Sequence, residues 1–536
     1  MNKQTQTEKV TNLFYSLPNN TKISKYFYQD KGITKFNDNL FRGSVIIHTN
    51  SIKSLEKDFM VLMGGRWKHI TEESLIKLIK RNIVSNEKNL QYSDGQFKKI
   101  VDIIHASIEE FPSQNEIYEV QISSEYKVIT DNKVYLIKYD YDTGKITTRS
   151  EPNLGQYYNF VALPDDINLS GDIDLNNYQI GNDAIDDFMN DITRNDTSMV
   201  KNLQEIAGYS MLFGHLEPYI YLAVGGGSNG KSVFATMLRQ ILGSSSVTSL
   251  EFSDINQQTT PKLESHFLNL PTELSGSKML PENILKAITD GEPVSANEKY
   301  KVPRDITPIA KQFALANDLP AIKDATDGFW RRAVVIPFEM KVTKDSKKKR
   351  GKIYFQDLFK SEKDNLRNWA FIGLLRLIEQ KGIHSHCDRI LEASKKYQLD
   401  NNNALMFLKE FINDKVVPLF TRDEVYQRMT KEISYGTTMD RLKLHFQING
   451  NGENSLLISE LYKLYKFWCL EDGYKSLAQK NFKKKLEEKA GSQYFDFDFE
   501  VKKSSGSEKI FFNENDFQHM YKVSEQQKQL ELDFEN

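Results

Sequence analysis

The chain has 536 residues, and at roughly 150 residues per domain this length suggests three or four domains, each large enough to bury a core. Lys and Arg number 71 against 73 Asp and Glu, a formal charge of -2, so the overall balance gives no argument for a nucleic-acid or membrane partner. Two cysteines, Cys387 and Cys469, exclude a disulfide framework and a four-cysteine zinc site and fit a reducing compartment.

The chain opens on MNKQTQTEKV, without the apolar run of a signal peptide, and nowhere approaches 18 consecutive apolar residues. A cytoplasmic protein with no membrane contact is expected. Residues 1 to about 110 mix short strand-like runs, such as SVIIH at 44–48, with an amphipathic helix over 72–83, where Leu75, Ile76, Leu78, Ile79 and Ile83 share a face. Residues 117–163 read as β, ending in a hairpin, KVYLIKYDYDTGKITTRS, that turns at Asp142, Thr143 and Gly144. Asp140-Tyr141-Asp142 has the D-x-D form used by metal-dependent polymerases. A plain hairpin turn accounts for it, and without a third acid a primase activity is not expected. The near-zero charge then proves to be a cancellation: Asp165 to Asp196 holds nine acids against one base, Arg194. Two helices are predicted here, one on Ile185, Phe188, Met189 and Ile192, the next on Met199, Leu203 and Ile206, with a turn at 194–197.

From Tyr219 to Phe338 strand-like runs (YIYLAV, HFLNL, KQFALAN, RAVVIPF) alternate with helical ones, the pattern of an α/β ATPase core. Gly225 to Ser232 satisfies G-x-x-x-x-G-K-S between an apolar strand and a helix. Backbone N–H groups of Gly225, Gly226, Gly227, Ser228, Asn229, Gly230 and Val233 can close around phosphate oxygens, Lys231 can reach the β- and γ-phosphates, and Ser232 can ligate Mg²⁺, so ATP and Mg²⁺ are the expected cofactors. A nucleotide hydrolase also needs an acid at a neighbouring strand end. Glu273, after the strand 267–270, is the candidate, whether for metal, for the attacking water or for both. Asn317 ends the next strand, where its carboxamide could report on the γ-phosphate. Arg331 and Arg332 open the last strand, and either could serve a neighbouring subunit as an arginine finger.

This constellation resembles the superfamily 3 helicases of the phage and plasmid primase–helicase family, related to the poxvirus primase–helicase. The resemblance rests on GGGSNGKSVF at 225–234, LNLPTELS at 268–275, LKAITDGEPVSANEKYK at 285–301, FALAN at 313–317 and DGFWRRAVVIPF at 327–338. The helices at 188–214 and LYKLYKFWCLEDGY at 461–474 also look like the family's. A composition rich in Lys, Asn, Ile and Tyr resembles replication proteins of staphylococcal mobile genetic elements. The resemblance implies an AAA+-like ATPase working as a homo-hexameric ring on single-stranded DNA, and a pore hairpin between Glu273 and Asn317 presenting Lys299, Tyr300 and Lys301. Many members carry two adjacent acids where this chain has Thr272 and Glu273.

Beyond the core, Lys341 to Lys352 holds seven bases against Asp345, and the chain reads as mainly helical to about 430. HSHC at 384–387 offers three metal-ligand types without a fourth and reads as a short loop. Residues 456–512 read helix, helix, strand, strand, the order of a winged helix, with Lys480, Lys483 and Lys484 on its recognition helix and origin DNA as a candidate partner. The tail contains Gln529, Leu532 and Phe534 in the form Q-x-x-L-x-F, which resembles the peptide that binds bacterial sliding clamps. The expected organisation is a multidomain α/β protein. It comprises a mixed α+β region (1–180), a helical collar (181–215), a P-loop ATPase core (216–345), a helical lid or linker (346–450), a winged helix (451–515) and an acidic tail (516–536). The leading function is a replicative helicase and initiator; an origin-binding protein whose ATPase controls assembly, or another P-loop DNA motor, are the alternatives.

Overall fold

The computed structural model describes residues 27–30, 33–36, 46–48, 58–63, 65–77, 98, 101, 125–164, 166–168, 173–274, 280–297, 303–320, 327–340, 351–412, 455–471, 474, 476–487, 499–504 and 506–512. They divide into two compact units, Met1–Ala393 and Ser394–Asn536, the division falling inside helix Asp388–Asp400. The fold is mixed α/β around a parallel sheet.

Unit 1 begins with three small antiparallel sheets. Strand β1 (Phe27–Asp30) pairs with β2 (Ile33–Phe36); β3 (Ile46–His48), β4 (Asp58–Met63) and β5 (Arg66–Thr71) form the second; β6 (Tyr126–Ile129), β7 (Lys133–Asp140) and β8 (Lys145–Pro152) form the third. The turn between β7 and β8 is where the sequence places it. Asp140 spends its carboxylate there, accepting from the N–H groups of Asp142 (2.9 Å) and Thr143 (3.1 Å), as an Asx turn does. The helix expected over 72–83 is described as helical for 72–77, and the strand expected at 117–122 lies outside the described residues.

The central sheet is five-stranded and wholly parallel. Its strands are β9 (Ile220–Val224), β10 (Val247–Thr248), β11 (Leu268–Asn269), β14 (Lys311–Ala316) and β15 (Ala333–Pro337), in the order β10-β11-β14-β9-β15. Between them, β12 (Val294–Ala296) and β13 (Arg304–Ile306) form a separate antiparallel hairpin. Strand β9 lies between β14 and β15, and all but the last of its residues are buried, as expected of a parallel strand covered on both faces.

Two capped helices precede the sheet. Asn182 Oδ1 accepts from the N–H of Ala184 (3.1 Å) to start helix Asp183–Thr193, which ends on left-handed Arg194; Asp196 Oδ1 accepts from Ser198 (3.0 Å) and Met199 (3.2 Å) to start helix Thr197–Tyr209. The second helix crosses helix Lys363–Glu379 so closely that a Cβ on Gly208 would collide with the backbone of Ala370 and Leu374, and one on Gly373 with the backbone of Gln204. Their crossing also buries Glu205, which accepts from Arg376 Nε (2.7 Å), His384 Nδ1 (3.0 Å) and the Ser385 N–H (2.9 Å). His384 Nε2 meets the Tyr221 hydroxyl at 2.8 Å, so the HSHC segment is a structural loop tied to β9. Among the described residues no group of His, Cys, Asp and Glu could hold a metal ion, and no helix is long and apolar enough to cross a membrane.

Unit 2 packs helix Asn403–Ile412 with helices Ile458–Glu471 and Gln479–Glu487 and a sheet of β16 (Ser455–Leu457), β17 (Phe499–Ser504) and β18 (Ser507–Phe512), ordered β16-β18-β17. Tyr465 stacks on Phe482 at 4.4 Å, and Phe407 meets both Tyr465 and Trp468. Helix 403–412, expected to be linker, thus belongs to this core, and β16 is an element the sequence did not suggest.

Burial alone would raise the Glu205 pKa, but its hydrogen bonds and the charges around it prevail and hold it down at about 2, against an ordinary 4.5. A depressed carboxyl stabilises above its unfolded pKa and loses that contribution as pH falls toward its folded pKa, so the sensitive window is about 4.5 to 2, worth about 3 kcal/mol. Glu205→Gln should lower unfolding free energy by about that amount at neutral pH, and denaturant melts should show the gap to wild type narrowing through this window.

Candidate nucleotide site

The site is built at the C-terminal edge of the parallel sheet, the edge where open α/β sheets bind ligands. Strand β9 ends at Val224. The Gly225 N–H then donates to the Ala316 carbonyl (3.2 Å), and the Phe338 N–H donates to that of Val224 (2.8 Å), so the loop 225–230 is pinned to both neighbouring strands. Gly227, Ser228 and Gly230 have positive φ, curling the backbone, and helix Lys231–Leu242 starts with no side-chain cap. Its first-turn N–H groups therefore have no side-chain acceptor and carry the positive end of the helix dipole, an arrangement suited to phosphate.

Within the loop Lys231 is buried. Its Nζ donates to the Gly225 carbonyl and to Asn229 Oδ1 (3.1 Å), and burial pushes its pKa down. Gly226, Gly227, Ser228 and Ser232 are exposed. Ser232 is the second residue of the helix. Asn229 does more than fill a variable position of the motif: its Nδ2 donates to the Phe338 carbonyl at 2.9 Å while Oδ1 receives Lys231, so its amide links the loop to the last strand. Only its burial, not its place in the motif, distinguishes it.

Asn317 is exposed directly after β14, next to the point where Ala316 receives the Gly225 N–H. Glu273 is one strand further out. The chain after β11 follows β14, with Leu315 N–H donating to Pro271 (3.0 Å) and Leu274 N–H to Leu315 (2.9 Å), and leaves Glu273 exposed. Loop, Asn317 and Glu273 are thus lined along one edge, the glutamate about 10 Å, or two strand spacings, from the loop backbone.

The two arginines have different fates. Arg332 is buried, with Nη2 on Asp290 Oδ1 (2.7 Å) and Oδ2 (2.5 Å), Nε on Oδ1 (3.2 Å), and Nη1 on the Gly328 carbonyl. Arg331 is exposed. Both precede β15, whose first residue, Ala333, is in register with Ile220, at the edge opposite the loop. A strand length of roughly 15 Å separates Arg331 from the loop of its own chain, more than its side chain spans.

The hairpin of β12 and β13 is held at the turn-side ends of its strands, where Arg304, the first residue of β13, forms a two-pronged pair with Glu264 (3.1 and 2.7 Å) and the N–H of Asn297, one residue past β12, donates to the Gln257 carbonyl (2.7 Å). Lys299, Tyr300 and Lys301 lie outside the described residues, as do Lys341 to Arg350 and the tail with Gln529, Leu532 and Phe534. In unit 2, Lys480 and Lys484 are exposed on helix 479–487, and Lys483 is paired with Glu487 (3.3 Å) and Glu508.

Residues 223–332, which run from β9 to Arg332, match the family of unknown function DUF5906, and residues 439–523 match the Poxvirus D5 protein-like family. Over 146 residues the chain is 32% identical to "Putative helicase L207/L206" of Acanthamoeba polyphaga mimivirus, covering 24% of this chain and 14% of that protein. Over 219 residues it is 24% identical to "Putative helicase 121R" of Invertebrate iridescent virus 3, covering 35% and 23%. The matched part is thus less than a quarter of either relative's length. Among solved structures, the C-terminal region of NrS-1 aligns over 88% of this chain and 97% of its own, at 11% identity and a TM-score of 0.46. The chain is therefore similar in sequence to D5-like and helicase-named viral proteins.

A Cβ on Gly225 would collide with Asn229 Nδ2 and the Phe338 carbonyl, while one on Gly226 meets nothing within 4 Å. Gly225→Ala should weaken binding of a fluorescent ATP analogue at least about tenfold, whereas Gly226→Ala should stay within a few-fold of wild type, both read by titration.

Proposed function

We propose that this chain is an ATP-driven DNA helicase of the superfamily 3 primase–helicase kind, acting as a ring of identical subunits. The observation that carries the reading is the division of the parts. Lys231, the uncapped helix, Asn317 and Glu273 share one sheet edge, while the exposed arginine stands at the other, out of reach of its own loop. A complete site then needs a second copy, with Arg331 supplied in trans to the γ-phosphate. Bound ATP supplies the reactive phosphoanhydride. The loop amides and Lys231 hold its phosphates, Ser232 holds Mg²⁺, Glu273 orients the water with or without a share of the metal, and Asn317 contacts the γ-phosphate.

The pore hairpin would carry Lys299, Tyr300 and Lys301 to the ring axis, two cations for phosphates and a ring for stacking on a base. Six such hairpins would make a positive channel from a chain with no net positive charge. Unit 2, with Lys480 and Lys484 exposed and Lys483 beside them, is the candidate origin-binding winged helix. The 529–534 peptide is a candidate contact for a host sliding clamp. Together these describe a cytoplasmic initiator helicase of a phage, plasmid or genomic island, a staphylococcal element by residue habit. An origin-binding protein whose ATPase only controls assembly is the second reading, favoured by the distinct basic helix of unit 2. It predicts ATP-dependent assembly without processive unwinding.

Strand displacement on forked DNA with ATP should be processive, and Lys231→Ala should abolish both ATPase turnover and displacement; retained turnover would remove the nucleotide assignment. Lys299→Ala combined with Lys301→Ala should abolish displacement while leaving DNA-independent ATPase within about twofold. Equal loss of both activities would argue against a DNA grip.

A further inference from the structure

Arg332 and Asp290 occupy a position that the nucleotide site does not explain. Asp290 is the last residue of helix Glu282–Asp290, which runs through left-handed Gly291 into the hairpin strand β12. Arg332 immediately follows exposed Arg331 and immediately precedes β15. Their two-pronged pair at 2.5 and 2.7 Å, with the Nε contact at 3.2 Å, fixes the guanidinium plane against the carboxylate, and Arg332 also holds the Gly328 carbonyl of the short helix Asp327–Trp330. At that junction the Lys286 side chain lies close to Gly328, so the helix and the turn meet along a face rather than at one point. Arg332 is 4% exposed, so it has no freedom to reach a neighbour's nucleotide.

We propose that Arg332 is a positioning residue, not the arginine finger: with Asp290 it joins the element that launches the DNA hairpin to the turn that carries Arg331. This deepens the helicase reading and rests on it. One rigid connection then bears a DNA contact at one end and the neighbour's nucleotide contact at the other. A shift of the hairpin on engaging DNA displaces Arg331, and engagement of Arg331 on a neighbour's phosphate shifts the hairpin. Linkage requires the effect to be reciprocal: nucleotide changes DNA affinity by the factor by which DNA changes nucleotide affinity. A planar, two-pronged arginine transmits such a displacement better than a single-point lysine ammonium, which can swivel about its carboxylate.

The test uses the full chain and a fluorescent single-stranded oligonucleotide, with affinity read by anisotropy in the absence and presence of a non-hydrolysable ATP analogue. Wild type should show a nucleotide-dependent change in affinity of about tenfold, within the usual range of coupling. Asp290→Asn and Arg332→Lys should each bring that ratio to within about twofold of unity while nucleotide-free DNA affinity stays near wild type; Asp290→Asn, which leaves the buried guanidinium without a counter-charge, should melt below wild type. The double variant should be no worse than either single one. If a single variant melts far below wild type, the swapped pair Asp290→Arg with Arg332→Asp, which reverses the ion pair, takes its place and should recover part of the ratio; no recovery overturns the proposal. A full wild-type ratio in both single variants overturns the coupling alone. Loss of nucleotide binding in Arg332→Lys equal to that in Arg331→Ala makes Arg332 a finger and overturns the positioning role. A wild-type chain that binds neither DNA nor nucleotide overturns the helicase reading itself, and the coupling with it.

Discussion

Strand Ile220–Val224 is paired in parallel on both its edges, and the arrangement of unit 1 follows from that pairing. Parallel neighbours bring their C-terminal ends to one side of the sheet, so Gly225, Asn317 and Phe338, far apart in sequence, come together. The backbone bonds from Gly225 to Ala316 and from Phe338 to Val224 extend the sheet into the loop, so the curled backbone starts from a rigid base. The same pairing places the start of the last strand, and the two arginines before it, at the far edge. Separation of loop from arginine is thus a property of the strand direction rather than of any loop.

Ionic groups in the interior of unit 1 follow a consistent rule, that a buried charge must be met by a partner or by several dipoles. Arg376 has Glu205, Arg332 has Asp290, and the buried Glu264 has the exposed Arg304. Lys311 is fully buried and uses carbonyls instead, with Nζ on Leu212, Gly214 (2.6 Å) and Ile309 (3.1 Å), and burial drives its pKa well down. These residues tie separate pieces together: the two crossing helices, the hairpin with the short helix Pro261–Glu264, and, through Lys311 on β14, the segment before the sheet with the sheet itself. The long runs of like charge that dominate the sequence lie elsewhere, so the surface sign and the interior ion pairs are almost independent features of this chain.

Local patterns were legible in the sequence where the chemistry was local. The glycine loop between an apolar strand and a helix, the pair of helices on either side of Arg194 to Asp196, and the hairpin turn after Asp140 all appear in the structure at the expected places. Long-range commitments were not legible. Arg331 and Arg332 are adjacent and identical in type, and only the position of Asp290, 42 residues earlier, sorts the exposed one from the buried one. Lys483 read as one more basic residue of its helix, and only the fold shows that Glu508, from strand β18, pairs with it. Helix Asn403–Ile412 read as linker because its partners, Tyr465, Trp468 and Phe482, come more than 50 positions later. Asn229 sits at a position of its motif where any residue is allowed, and its bond to Phe338 spans 109 positions.

The crossing at Gly208 and Gly373 bears on how unit 1 can move. Each helix presses its backbone against the other where a side chain would otherwise stand, and the Glu205 to Arg376 pair closes the contact a turn away. Interfaces packed this tightly do not slide by small amounts; they hold or they part. The two helices therefore act as a single fulcrum, and any motion of the sheet edge has to be absorbed by segments that lack such a crossing.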